Sequence, residues 1–110
     1  NISADIPDGE RLVISIAIGY GKDSGKERKT KSKEQLSEAS SQRPEWFEKG
    51  VEMAMLAPTA INQQKFTFSL SGNTVTASAL KGPCSKIDLG IVKYHFEVGA
   101  GKHNFRWADK

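Results

Sequence analysis

The stretch Leu56–Phe66, LAPTAINQQKF, dictates where a helix must stop and a strand must begin. The residue before a proline resists the helical region, so Pro58 ends whatever helix precedes it. Phe66, Phe68 and Leu70 then alternate with the two-residue period of a strand. Between these elements lie Pro58, Thr59, Asn62, Gln63 and Gln64. Short turns usually carry Gly, Asp and Ser, which suit tight backbone shapes. This one carries amide side chains, which offer donors and acceptors together. Two readings stay open. Such a turn can read the edge of a planar heteroaromatic ring, or its amides can cap the helix end and the turn itself.

The flanking elements follow from periodicity. Pro44 suits the first turn of a helix because its missing N–H had no partner there, and Glu45 is favourable beside the positive helix end. Phe47, Val51, Ala54 and Met55 repeat at helical spacing, with Trp46, Gly50 and Met53 alongside, and predict a helix over Pro44–Leu56. Lys65–Leu70 and Val75–Ala79 flank Ser71-Gly72-Asn73-Thr74 and predict an antiparallel hairpin. After the break at Gly82-Pro83, Ser85-Lys86-Ile87-Asp88 resembles a capping box. Ile87, Ile91, Tyr94 and Val98, with Leu89, Val92 and Phe96 beside them, predict a second helix buried on more than one stripe and ended by Gly99 and Gly101. Phe105 and Trp107 in the tail require a surface to pack on.

Before these elements, Leu12–Gly19 reads as a strand with Leu12, Ile14, Ile16 and Ile18 on one face and small residues on the other. Both faces avoid charge, so the expectation is a central strand covered on both sides. Pro7-Asp8-Gly9 reads as a turn, and residues 1–10 as a poorly ordered lead-in. Residues 22–43 read as a long basic, polar, Ser-rich loop, with a short helical turn at Lys33–Ser37.

Composition bounds the rest. A chain of 110 residues with 37% hydrophobic content builds one small core in a single domain. The net charge of +3 is mild, but Lys22, Lys26, Arg28, Lys29, Lys31 and Lys33 cluster against only Asp23 and Glu27. That cluster suits phosphate or another anion, or it is simply a solvated basic loop. Nucleic acid is disfavoured because no aromatic platforms interleave the basic residues. One cysteine, Cys84, excludes an intrachain disulfide and fits a reducing compartment. No run approaches membrane-spanning length and no signal-peptide pattern is visible, so a cytoplasmic protein with no membrane partner is expected. His95, His103 and Cys84 lack metal-site spacing, and His95 reads as a packed helix residue. No nucleophile elbow, phosphate-binding glycine loop or paired-carboxylate site stands out.

Three stretches together resemble the flavin-dependent nitroreductase family. LAPTAINQQKF resembles the family's helix-to-strand signature of Ala-Pro-Ser, then Asn, then Gln-Pro-Trp-x-Phe, although Lys65 and Phe66 stand where that pattern has Pro and Trp. DLGIVKYHFEVGAG resembles its long central helix. IAIGYG followed by Lys31-Ser32-Lys33 resembles its late strand and basic pair. The resemblance implies an α+β fold, a partial nitroreductase-like α/β sandwich built from the central strand, two main helices and the hairpin. It implies FMN as cofactor, with Pro58, Thr59, Ala60, Asn62 and Gln64 against the ring and Lys31 and Lys33 on the phosphate. It implies NAD(P)H as co-substrate and a nitroaromatic or quinone as electron acceptor, with no side chain required as acid or base.

The order of the stretches is inverted relative to an ordinary member, because the late strand precedes the early signature. That order resembles a subfamily with two nitroreductase-like halves in one chain. On that resemblance residues 1–110 correspond to the C-terminal portion of a protein roughly twice this length. The missing N-terminal half or a homodimer partner would complete the flavin site. The competing readings are a non-catalytic flavin- or anion-binding module of the same fold, and a small basic interaction domain.

Overall fold

Alternation along the hairpin decides the architecture. The structure is a computed structural model and describes residues 5–108. Strands β2 (Phe66–Ser71) and β3 (Thr74–Ala79) pair antiparallel, with Phe68 opposite Ala77 and Leu70 opposite Val75. Gly72 takes φ 63° at the two-residue turn, a conformation open to glycine without steric cost. Phe66, Phe68, Leu70 and Val75 are buried, whereas Thr76 and Ser78 on the opposite face are exposed. Two short strands complete a mixed sheet of order β1-β2-β3-β4. β1 (Ser37–Ala39) runs parallel to β2, and β4 (Arg106–Trp107) parallel to β3.

Three helices accompany the sheet. The one-turn helix α1 (Lys33–Leu36) is closed by a capping box between Ser32 and Gln35, so the helical turn expected at Lys33–Ser37 is present. α2 (Glu45–Ala54) buries Phe47, Gly50, Val51 and Ala54, the stripe read from spacing. Pro44 is its N-cap rather than its first residue, because its ψ of 157° is extended. α3 (Ser85–Ala100) lies against the sheet and packs on α2. The two helices meet over glycine. A Cβ on Gly50 would sit 2.7 Å from the Phe96 ring, so any side chain there would force the helices apart. Phe96 stacks on Phe68 at 4.7 Å and meets Phe47 at 5.8 Å. The tail aromatics find their surface here too. Phe105 stacks on Trp46 at 5.8 Å, and the Trp107 indole N–H donates to Glu97 at 2.9 Å.

Three expectations need correction. Leu12–Gly19 forms no strand. It pairs with none of the described strands and lies exposed, with Ile16 at 78% and Ile18 at 94%. Alternation reports that a segment is ready for burial, not where its cover lies. Here the sheet's four strands pair among themselves, and the helices fill its apolar face. Second, α3 is buried on one stripe, Val92, Phe96 and Ala100, while Ile87, Tyr94 and Val98 face solvent. A second apolar stripe has nothing on its side to pack against. Third, Ser85 does not cap α3. The cap is Cys84 in the left-handed region, without a side-chain bond, and Asp88 turns elsewhere. The Pro7–Glu10 turn is present, closed by a 3.1 Å hydrogen bond from Glu10 N–H to the Pro7 carbonyl. The lead-in at residues 1–4 lies outside the described residues. Within the loop expected over residues 22–43, residues 33–39 are ordered as α1 and β1.

A charge network ties α1 to α2. Glu48 accepts from Arg43 Nε and lies 3.1 Å from Lys33 Nζ. The hydrogen bond from Arg43, above all, holds the Glu48 carboxyl below its usual 4.5 against the opposing effect of burial. A folded value below the unfolded one stabilises the chain above pH 4.5, and that contribution disappears as pH falls through the folded value. The melting temperature of the parent chain should therefore drop more steeply on acidification than that of Glu48→Gln. The two curves should converge below pH 4.5 in thermal melts; parallel curves would remove the network as a source of stability.

Candidate functional site

The turn after α2 is built by its own amides. Pro58 is exposed, while Thr59 and Ala60 are half-buried. Thr59 Oγ1 accepts the Gln64 N–H at 3.0 Å, and the Thr59 carbonyl accepts the Asn62 N–H at 3.0 Å. The backbone reverses so sharply that Ile61, Asn62 and Gln64 take φ of 46°, 54° and 49°. Left-handed backbone suits Asn tolerably and a β-branched Ile badly. The Ile61 side chain stands out at 85% exposure, and Asn62 is exposed beside it.

Gln64 is the buried centre of the turn, at 6% exposure. Its Oε1 accepts the Lys31 N–H at 2.8 Å. Its Nε2 donates to the Lys29 carbonyl at 3.0 Å and to Asn62 Oδ1 at 3.0 Å. Asn62 Nδ2 donates to the same Lys29 carbonyl at 2.9 Å, and Lys31 Nζ reaches the Gln64 carbonyl at 3.3 Å. The amide turn and the basic segment are thus one hydrogen-bonded unit. Arg28 extends it, donating to the carbonyls of Ala57 at 2.9 Å and Met55 at 2.5 Å. Those carbonyls belong to the end of α2, where helix groups lack internal partners.

The structure therefore brings together Lys31, Pro58, Thr59, Ala60, Asn62 and Gln64. It places Lys33 apart, between Glu48 at 3.1 Å and Glu52 at 2.9 Å. The hydrogen bonds it donates, to Glu52 first and Glu48 second, raise its pKa above 10.5, so its charge is held and already balanced. Asn62 and Gln64 bond to each other and to the Lys29 carbonyl, so the amides fasten the turn, whereas the end of α2 is capped by Arg28 and not by them. A ligand would meet the outer side of this turn: the Ile61 tip, the Asn62 amide and the Lys31 ammonium.

Sequence reasoning missed the support behind the turn. Asp88, at 6% exposure, accepts the Ala60 N–H on both oxygens at 3.1 Å. Gln63 Nε2 donates to Asp88 Oδ2 at 2.7 Å and to the Pro83 carbonyl at 2.7 Å. Gln63 Oε1 is buried with no partner, and a Cβ on Gly82 would lie 2.5 Å from it. The signal was present in Asp88 near the start of an apolar helix, but a local cap explained it more simply. His95 Nδ1 lies 3.0 Å from the Ile91 carbonyl, as suits a packed helix residue. Among the described residues no group of His, Cys, Asp or Glu could hold a metal ion, and no helix is long and apolar enough to cross a membrane.

Comparison with known proteins gives one result. The model of the family described as "Putative TM nitroreductase" matches residues 1–100. No curated protein and no solved structure matches significantly.

Proposed function

The chain belongs to that nitroreductase family, and from this premise we propose that it serves an FMN-dependent oxidoreductase that uses NAD(P)H to reduce nitroaromatic or quinone-type acceptors. One observation carries the reading beyond the family: the amide turn and the basic segment are joined through the buried Gln64. A flavin mononucleotide needs a surface for its ring and a cation for its phosphate within one molecule's length. Here both come from a single unit held by side-chain bonds, which cuts the ordering cost of binding.

The flavin supplies the hydride chemistry when bound. The chain's residues bind and orient. Pro58–Ala60 and the Ile61 tip offer an apolar wall. The exposed Asn62 amide keeps one N–H and one oxygen lone pair, beyond its bonds to Lys29 and Gln64, for the ring's polar edge. Lys31 is the cation for the phosphate, and Gln64 sets its place. Lys33 contributes less, because Glu48 and Glu52 already balance it. The alternative reading, a non-catalytic flavin- or anion-binding module of the same fold, draws on the same turn and Lys31 and differs only in the absence of turnover.

A second surface completes the site in this proposal: an N-terminal half of the same fold, or another copy of the chain. Support comes from Leu12–Ile18 and from the outer stripe of α3, two apolar surfaces left uncovered.

Titration of the purified protein with FMN tests the reading. Yellow protein whose flavin bleaches with NADPH under anaerobic conditions is the expected result. Stable yellow protein that resists bleaching supports the module instead, and failure to take up FMN removes both. Lys31→Ala should weaken FMN by about tenfold, the scale of a lost charge-assisted contact, and Lys33→Ala by much less. Light scattering on the loaded protein should show more than one fold unit per particle; a single 110-residue unit that binds FMN fully would reject the second surface.

A further inference from the structure

Among the described residues Ile61 is the one β-branched side chain on left-handed backbone. It combines φ 46° and ψ 29° with a β-branched side chain and 85% exposure. Glycine at this position would relieve the backbone, and the exposed side chain gains little from burial in the fold. Such a conformation persists only where its surroundings over-determine it. The surroundings here converge on Asp88. This buried carboxylate takes the Ala60 N–H on both oxygens and the Gln63 amide on one. Gln63 in turn is anchored to Pro83. One carboxylate from the first turn of α3 therefore fixes the residues on both sides of the Ile61–Asn62 tip.

We propose that Asp88 is a positioning residue, which holds the Thr59–Gln64 turn in its left-handed conformation so that Ile61 and Asn62 form a ready-made surface for the ring. The proposal rests on the flavin reading above. Asp88 faces the interior behind the turn, so it acts through Ala60 and Gln63. An ordinary stabiliser of α3 would differ in one respect: its loss would be independent of the residue at position 61. A clamp on a strained tip is coupled to that residue, because glycine adopts the left-handed region unaided.

The test is a double-mutant cycle on the full chain, with Asp88→Asn, Ile61→Gly and both together. Asn keeps the acceptor for Ala60 but turns an N–H toward the Gln63 N–H. FMN affinity is read by quenching of flavin fluorescence, and the unfolding midpoint in urea is read without flavin. Asp88→Asn should weaken FMN by about tenfold in the parent and by less than about threefold in the Ile61→Gly background. The same non-additivity should appear in the flavin-free midpoints. Equal losses in both backgrounds, in either measurement, overturn the clamp. If the parent chain binds no FMN, the flavin reading and the presentation of the tip both fall, while the flavin-free cycle still decides the clamp. Should Asp88→Asn not fold, Ala60→Pro removes the same N–H from the other side. Thr59, at φ −131° and ψ 157°, already has the extended backbone that precedes a proline. Ala60→Pro with undiminished FMN affinity also overturns the proposal.

Discussion

Phe96→Ala should cost about 3–5 kcal/mol of folding stability, the range for truncating a fully buried phenylalanine. Phe96 is fully buried at the point where every layer meets. Its ring lies 4.7 Å from Phe68 on the sheet, 5.8 Å from Phe47 on α2, and 5.2 Å and 5.6 Å from Phe105 and Trp107 in the tail. Removing it strips one contact surface from each of these elements at once. The surroundings cannot collapse easily, because α2 and α3 already meet at their closest at Gly99, where a Cβ would clash with the Lys49 carbonyl and the Met53 Cβ. A small domain has only about 5–15 kcal/mol in total, so the variant should lose a large share of its margin and unfold at a much lower urea concentration. Urea titration followed by tryptophan fluorescence reads this directly. Phe96→Leu should lose far less, because volume is mostly kept. A shift of under about 1 kcal/mol for the alanine variant would mean that the core is centred elsewhere.

Gln64→Ala should lose about 1–2 kcal/mol through a different route, the loss of hydrogen bonds that a buried amide makes to part-buried groups. The Lys31 N–H and the Lys29 carbonyl would each lose their Gln64 partner, and Asn62 Oδ1 would lose its donor. The distinguishing result is local. Hydrogen exchange at the Lys31 amide should accelerate well beyond the change in global stability, because the basic segment comes away from the turn before the core opens. Gln64→Glu should be no rescue. It keeps an acceptor for Lys31 but sets carboxylate oxygens against the Lys29 carbonyl and Asn62 Oδ1. If Lys31 exchange changes only in step with global unfolding, the basic segment is held by something other than Gln64.

How much of this was legible in the residues depends on the range of the interaction. The hairpin, the α2 stripe and the helical turn at Lys33 were readable because each is encoded within a few positions. The amide turn was located correctly for the same reason. Its internal bonding was not readable, because Gln64 reaches back to Lys29 and Lys31 across more than thirty residues. Lys33 illustrates the same limit: it closes a run of basic residues that suggests an anion site, and the glutamates that balance it come from α2. Leu12–Gly19 was misplaced because hydrophobic alternation is blind to the presence of a partner. Asp88 was read as a cap because proximity to a helix start is a local cue, whereas its true partner, Ala60, is on another element.

The parallel edges of the sheet bear on the order in which the molecule forms. β2 and β3 are joined by two residues and can pair almost as soon as both exist, whereas β1 reaches β2 only after α2 has been threaded between them. Closing longer loops costs more entropy before any contact repays it. The sheet is therefore expected to grow outward from its hairpin. The amide turn depends on residues from both flanks, Lys31 ahead of it and Asp88 behind it. On a ribosome, neither flank alone would be enough to set it. The turn would therefore be set only after α3 has emerged and docked, leaving little opportunity for a half-made turn to engage a ligand.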